Sequence, residues 1–223
     1  MKLFLLLMLG AIFFVSCKKE AVPPVLPPAD KVSYKTELKL LWTSPSFTIP
    51  ANAHFTSFIG MIHEKNSFLW PPNGLASVGL KNVAEVGNNV KLNIEIDSLI
   101  AIAKAYARFG IPAPAINAMY DTSFSFTLQH SCISFASMIA PSPDWFVGLN
   151  NYNLLQNNQW VNDITVPLFL YDAGTEDGDV FGYNNPASNP RQPVHLLTPA
   201  GASVLANGNA TFAPIGSMRF IKL

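Results

Sequence analysis

"CISFASMIAPSPDWFVGLN", residues 132–150, places two apolar runs on either side of a turn that carries Pro141 and Pro143. Both runs are short and rich in Phe, Ile and other residues that suit the pleated surface of a sheet. The prolines close the first run and Asp144 opens the second, so the stretch predicts strand, turn, strand. Runs of the same kind flank it, "SFSFTLQ" at 123–129 and "DITVPLFLY" at 163–171. Further out, "VSYKTELKLLWT" (32–43) alternates polar and apolar in its first half, "TSFIGMIHEK" (56–65) is strand-like, and "GSMRFIKL" (216–223) alternates like a closing strand. Strands at such close spacing imply an all-β fold, an antiparallel β-sandwich.

The period changes in one region only. Leu75, Val78, Leu80, Val83 and Val86 recur near helical spacing, and Gly87 is placed to stop that helix. Residues 89–110 are ambiguous at their start and read as helical from Asp97 to Arg108, up to the prolines of "IPAPA". One or two short helical insertions in a single domain over residues 32–223 are therefore expected, with no internal repeat.

The bulk numbers agree with one sizeable core. The chain has 223 residues, 49 % of them hydrophobic and only 13 % charged, with a formal net charge of zero. It shows no basic face of the kind that nucleic acid requires.

The N-terminus reads as an address. Met1 and Lys2 precede an apolar run from Leu3 to Val15, which at about 13 residues is too short to span a bilayer but suits a signal peptide. The run ends in "FVSC" (14–17), which resembles a bacterial lipobox, with Phe14 in place of the usual Leu. That resemblance implies removal of residues 1–16 and lipidation of Cys17. "KKEAVPPVLPPADK" (18–31) carries four prolines and no periodicity, so residues 17–31 read as a semi-rigid tether. Lys18 resembles an outer-membrane sorting signal, and the expected location is the bacterial cell envelope, on an outer-membrane lipoprotein exposed at the surface. With Cys17 lipidated, Cys132 is the remaining thiol, which excludes an internal disulfide and a cysteine zinc cluster. Its apolar surroundings make it a buried hydrophobe.

Candidate chemistry gathers in "YDAGTEDGD" (171–179), four carboxylates and two glycines in nine positions. By itself this is a solvated turn or one wall of a cation site. It is not an EF-hand, because Gly174 stands where that loop needs a side-chain oxygen. Asp172 and Glu176 lie four apart around Gly174, and calcium needs about six to eight oxygen ligands, so a second loop must contribute. "APSPDWFVG" (140–148), with Asp144, is the candidate, although such a turn alone is usually only a turn. Signatures of nucleophilic catalysis are missing, and His54, His63, His130 and His195 are scattered and read as ordinary hydrogen-bonded histidines.

"APSPDWFVG" followed by "YDAGTEDG" resembles the signature of the spondin N-terminal domain, the F-spondin/mindin type. "AHFTSFIGMIHEKNSFLWPPNGLASVGLKNVAEVG" (53–87) is similar to the same family's upstream pattern, and "YKTELKLLWT" (34–43) to its first strand. The resemblance implies an eight-stranded, C2-like sandwich with Ca2+ held by loops at one end. Its ligands would be Asp144, Asp172 and Glu176, where the family usually has Asp, with Asp177 as a neighbouring substitute. The cysteine pair that animal members often carry near 154–160 is missing, which leaves Trp160 to hold that loop by packing. Residues 198–223 are poorly covered. The implied function is non-enzymatic recognition or adhesion, with a protein or glycan partner and a lipid anchor in the membrane. An alternative is C2-like binding to anionic lipid or lipopolysaccharide head groups, which exposed aromatics or lysines beside the metal loops would favour. A calcium-dependent hydrolase would need a base and a nucleophile that no residue set announces.

Overall fold

The computed structural model describes residues 27–223; the signal sequence, Cys17 and most of the 17–31 stretch lie outside the described residues. Strand β1 (Lys31–Leu40) buries Val32, Tyr34, Thr36, Leu38 and Leu40 while the residues between them face outward, as the alternation requires. Its neighbours are β5 (Met119–Thr127) on one side and β12 (Gly216–Lys222) on the other, both antiparallel. The second layer is built from β3 (Phe58–His63), β4 (Ala105–Ile111), β6 (Cys132–Ala140) and β7 (Trp145–Asn153).

Strand β10 (Asp163–Asp172) joins the two layers. Its first six residues pair with β12 and its last four with β7, giving the order β4-β3-β6-β7-β10-β12-β1-β5. These eight antiparallel strands are the expected number. Short β2 (His54–Phe55) pairs with the last two residues of β6, β8 (Leu155–Gln156) and β9 (Gln159–Trp160) form a small hairpin, and β11 (His195–Leu196) pairs with the end of β10. Between the layers Tyr34, Leu38, Phe126, Met218 and Phe220 meet Phe58, Ile62, Phe135 and Val147.

A second apolar cluster lies on the outer face of β3, β6 and β7, under helices α1 (Val78–Val86) and α2 (Val90–Ala101). Both faces of β6 are thereby covered, and all nine of its residues are buried. That is why "CISFASMIA" is a continuous apolar run rather than an alternating one. Helix α1 starts on Ser77, whose hydroxyl accepts from Leu80 N, and ends on Gly87 in the left-handed region at φ 65°, as expected. Helix α3 (Ser203–Ala206) is a single turn.

One expectation fails. Helix was expected over Asp97–Arg108, whereas α2 begins at Val90 and ends at Ala101, and β4 follows. Ala103 at φ 58° breaks the helix. Beyond it, Ala105 and Ile111 are buried and Ala107 and Phe109 half-buried, while Tyr106 and Arg108 point out, a period of two that pairs with β3. The helix-favouring Ala and Lys of "AIAKAYAR" are overridden by the hydrogen bonds of an edge strand.

Cys132 is fully buried, and burial pushes its thiol up to about 11. Trp160 Nε1 donates to Ala29 O at 2.8 Å, so it secures both the loop at 154–160 and the residues just before β1. All the strands and both core clusters named above lie within residues 27–223.

Candidate metal centre

Asp144 stands at the mouth of β7, one residue before Trp145, which faces Asp172 across the β7–β10 ladder. The chain leaving β10 is thereby brought back onto it: Ala173 N donates to Asp144 O at 3.2 Å. The Asp144 side chain is fully buried. Its Oδ2 accepts from Thr175 N at 2.6 Å, Thr175 Oγ1 at 3.1 Å and Glu176 N at 3.1 Å. Its Oδ1 is buried with no hydrogen-bond partner. A carboxylate oxygen left so is costly unless something positive meets it.

The turn that reaches Asp144 depends on two local features. Asp172 Oδ1 accepts from Gly174 N at 2.7 Å, closing an Asx-turn. Gly174 has φ 68°, and a Cβ there would stand 2.2 Å from Gln192 O. Only glycine fits both the conformation and the approach. Gln192 N in turn donates to Gly174 O at 2.9 Å, fastening the 190–194 segment alongside.

Burial raises Asp144 to about 6, and the charge of Asp172 adds to the rise; the three hydrogen bonds oppose it without prevailing. Asp172 is raised by burial as well, with Asp177 adding repulsion, while Gly174 N–H and His195 pull it down. Glu176 is raised by burial and by Glu85, with Asp144 contributing and Lys81 opposing. Lys81 itself is engaged by Glu85. Arg191, in the neighbouring 190–194 segment, donates to Ala76 O, and among the described residues no ion pair neutralises Asp144, Asp172, Glu176 or Asp177.

Asp172, Glu176, Asp177, Asp179, Ser188 and His195 line a cavity of about 500 Å³ at this end of the sandwich. Asp144 is within electrostatic reach of both Asp172 and Glu176, across the two loops. Their side chains are not gathered on one point. Glu176 Oε2 accepts from Asn185 Nδ2 at 3.3 Å, Asp177 Oδ1 accepts from Ser188 Oγ, and Asp144 lies behind the cavity wall. Among the described residues no three Asp, Glu, His or Cys side chains form a ready-made metal cluster. In kind, the donors fit a hard divalent cation: carboxylate oxygens, one of them buried and unpartnered.

Two participants were not singled out in the sequence. Thr175 binds Asp144 through both backbone and hydroxyl. His195 faces Asp172 across the β10–β11 ladder, and its Nδ1 donates to Pro193 O at 3.0 Å, while Nε2 has no hydrogen-bond partner among the described residues. Nothing in the spacing signals His195, because only the pairing of β11 with β10 brings it to the cavity.

The sequence pattern of the Spondin_N family matches residues 32–208. Spondin-2 of Rattus norvegicus is 31 % identical over 186 residues, covering 80 % of this chain and 56 % of the relative. Spondin-2 of Homo sapiens is 33 % identical over 165 residues, 73 % of this chain and 49 % of the relative. Spondin-1 of Gallus gallus is 35 % identical over 151 residues, 65 % of this chain and 19 % of the relative. The chain thus spans about half the length of these spondin-2 relatives and about a fifth of spondin-1. The family match runs from the start of β1 through both loops that carry Asp144 and Asp172 and on past α3, so the chain belongs to the Spondin_N family.

Proposed function

We propose that this domain is a calcium-binding recognition or adhesion module, held at a bacterial envelope surface by a lipid on Cys17. Its acidic end would be presented to a protein or glycan partner. The observation that carries the metal reading is Asp144: one oxygen is tied to the opposite loop, the other is buried and unpartnered. Asp144 and Asp172 would hold the ion, with Glu176 and Asp177 exchanging their present partners for it. The ion would neutralise charge and brace the two loops, as hard oxygen-bound cations do. Val180 and Tyr183 are half-exposed on the same loop and offer an apolar contact beside the charge.

Lipid engagement through these loops has less in its favour, since Trp145 and Phe146 are fully buried and the surroundings are acidic. The test is thermal unfolding of residues 27–223 with calcium and with chelator. Calcium is expected to raise the melting temperature of the native sequence and to leave Asp144→Asn unchanged. An unshifted native protein refutes the metal reading. Glycan-array or pull-down binding that is indifferent to chelator would refute its role in recognition. Full-length Cys17→Ser should leave the membrane fraction when membranes are washed at about 0.5 M salt, which screens surface charge, and its retention there would contradict the anchor.

A further inference from the structure

The net charge of zero conceals a strong asymmetry. The strands run end to end, and one end carries Asp144, Asp172, Glu176, Asp177 and Asp179. The opposite end is formed by the start of β1, the close of β12, and the turns β5–β6, α2–β4 and the one after β3. There Lys31, Lys65, Lys104 and Lys222 are all exposed. Among the described residues none of the four takes part in an ion pair, and neither do Lys39, Lys91 and Arg191, whereas Lys35, Lys81, Arg108 and Arg219 all do.

Backbone contacts hold these lysines on one face. Leu128 N donates to Asp30 O, Leu223 N to Ser33 O and Glu64 N to Lys104 O. His130, with Nε2 2.8 Å from Ala103 O, joins two of the turns, and Lys31 lies over the Tyr106 ring. Among them stand three exposed apolar side chains: Ile102 at 62 %, Leu128 at 37 % and Leu223 at 74 %. Asp30, Glu64 and the main-chain carboxylate of Leu223 are the acidic groups nearby, and Asp163 is already bound by Arg219, so four lysines leave the face a small positive excess. The chain also arrives here, its Ala29 carbonyl held by Trp160. The residues preceding it in sequence, Lys18 and Lys19 among them, therefore connect to the domain at this end.

We propose that this basic end is a docking face for an anionic lipid bilayer. Its lysines lie on headgroup phosphates, Ile102, Leu128 and Leu223 reach the headgroup boundary, and the acidic end points away from the bilayer. The attraction extends the membrane-anchored reading but needs neither the lipid on Cys17 nor a metal ion. A lysine held near an anionic surface strengthens binding about fivefold, and salt screens it.

The test is flotation of residues 27–223, the part that contains all the named strands and both core clusters, with vesicles in chelator. Vesicles of phosphatidylglycerol and phosphatidylcholine should capture the protein, and vesicles of phosphatidylcholine alone should not. Capture should vanish at about 0.5 M salt, where the Debye length is only a few ångströms. Lys65→Glu with Lys104→Glu should weaken it by about tenfold or more at unchanged melting temperature. Lys39→Glu with Lys91→Glu, the same charge change away from this face, should leave it intact. Absence of capture, equal capture by neutral vesicles, capture only with calcium, or equal loss in both double variants would each overturn the proposal.

Discussion

Thr175 holds Asp144 twice, through its backbone N–H at 2.6 Å and its hydroxyl at 3.1 Å, and both bonds fall on the same carboxylate oxygen. The two loops are therefore closed by one oxygen while the other is left over. In the metal-free protein this arrangement carries a buried charge.

Asp144→Asn should accordingly stabilise the metal-free protein. The side chain keeps an oxygen for Thr175 and Glu176 but loses a charge whose pKa is pushed up to about 6. A rise of that size corresponds to about 2–3 kcal/mol at neutral pH. Urea unfolding in chelator would measure it, and a loss of stability instead would mean that relief of the charge is outweighed by the unpartnered amide NH2 that replaces Oδ1.

The same carboxylate gives metal-free stability a definite pH slope. A group raised in the folded state favours folding fully below its unfolded pKa, and that contribution is lost as pH rises through the folded value. Between about pH 4 and 6 the Asp144 contribution should thus decline, with Asp172 and Glu176 acting in the same direction. Any stabilisation by calcium should be larger at pH 7.5 than at pH 5, because protons compete for the same oxygens. Melting curves of the native protein and Asp144→Asn across this range would show whether the slope is shallower in the variant.

His63 acts with the opposite sign. It is fully buried, Nδ1 donates to Glu64 O, and Nε2 accepts from the Ser134 hydroxyl at 2.8 Å. Burial lowers its pKa, so its contribution is present above 6.5 and is lost as pH falls below that value. Asn151 N also donates to Ser134 Oγ. Ser134→Ala should therefore cost about 1–3 kcal/mol in chemical unfolding by stranding buried His63 Nε2 and half-buried Asn151 N.

Gly174→Ala should destabilise the domain by more than about 1 kcal/mol, because it forces a methyl group into Gln192 O at a left-handed backbone position. The damage should centre on residues 172–194, which hydrogen exchange would resolve as faster opening there than in β1 or β12.

Trp160→Phe removes the bond to Ala29 O while keeping most of the ring in its pocket. A loss of about 1 kcal/mol is expected, together with faster proteolysis just before Lys31. Unchanged cleavage would mean that the residues before β1 are held by something other than the indole.

The strands were legible in the sequence because their alternation survives into burial, as in β1, or because a run is apolar throughout, as in β6. The helix ending at Gly87 was legible from spacing and its stop residue. The boundary between α2 and β4 was not, because Ala and Lys report helix propensity while pairing with β3 decides the outcome. Asp172, Glu176 and Asp144 were candidates from their two turns, given a ligand role by a family resemblance, and Asp144 lies within electrostatic reach of the other two; His195 reaches the cavity only through the β10–β11 ladder.

Strand β1 has a mechanical consequence. It is hydrogen-bonded along both edges, by β5 and β12, and it starts at the end opposite the acidic loops. Tension between a surface-held N-terminus and a partner gripped at those loops would run along β1, at right angles to its ladder bonds. Both ladders would then be loaded in shear, all their bonds sharing the force together, rather than peeled apart one at a time.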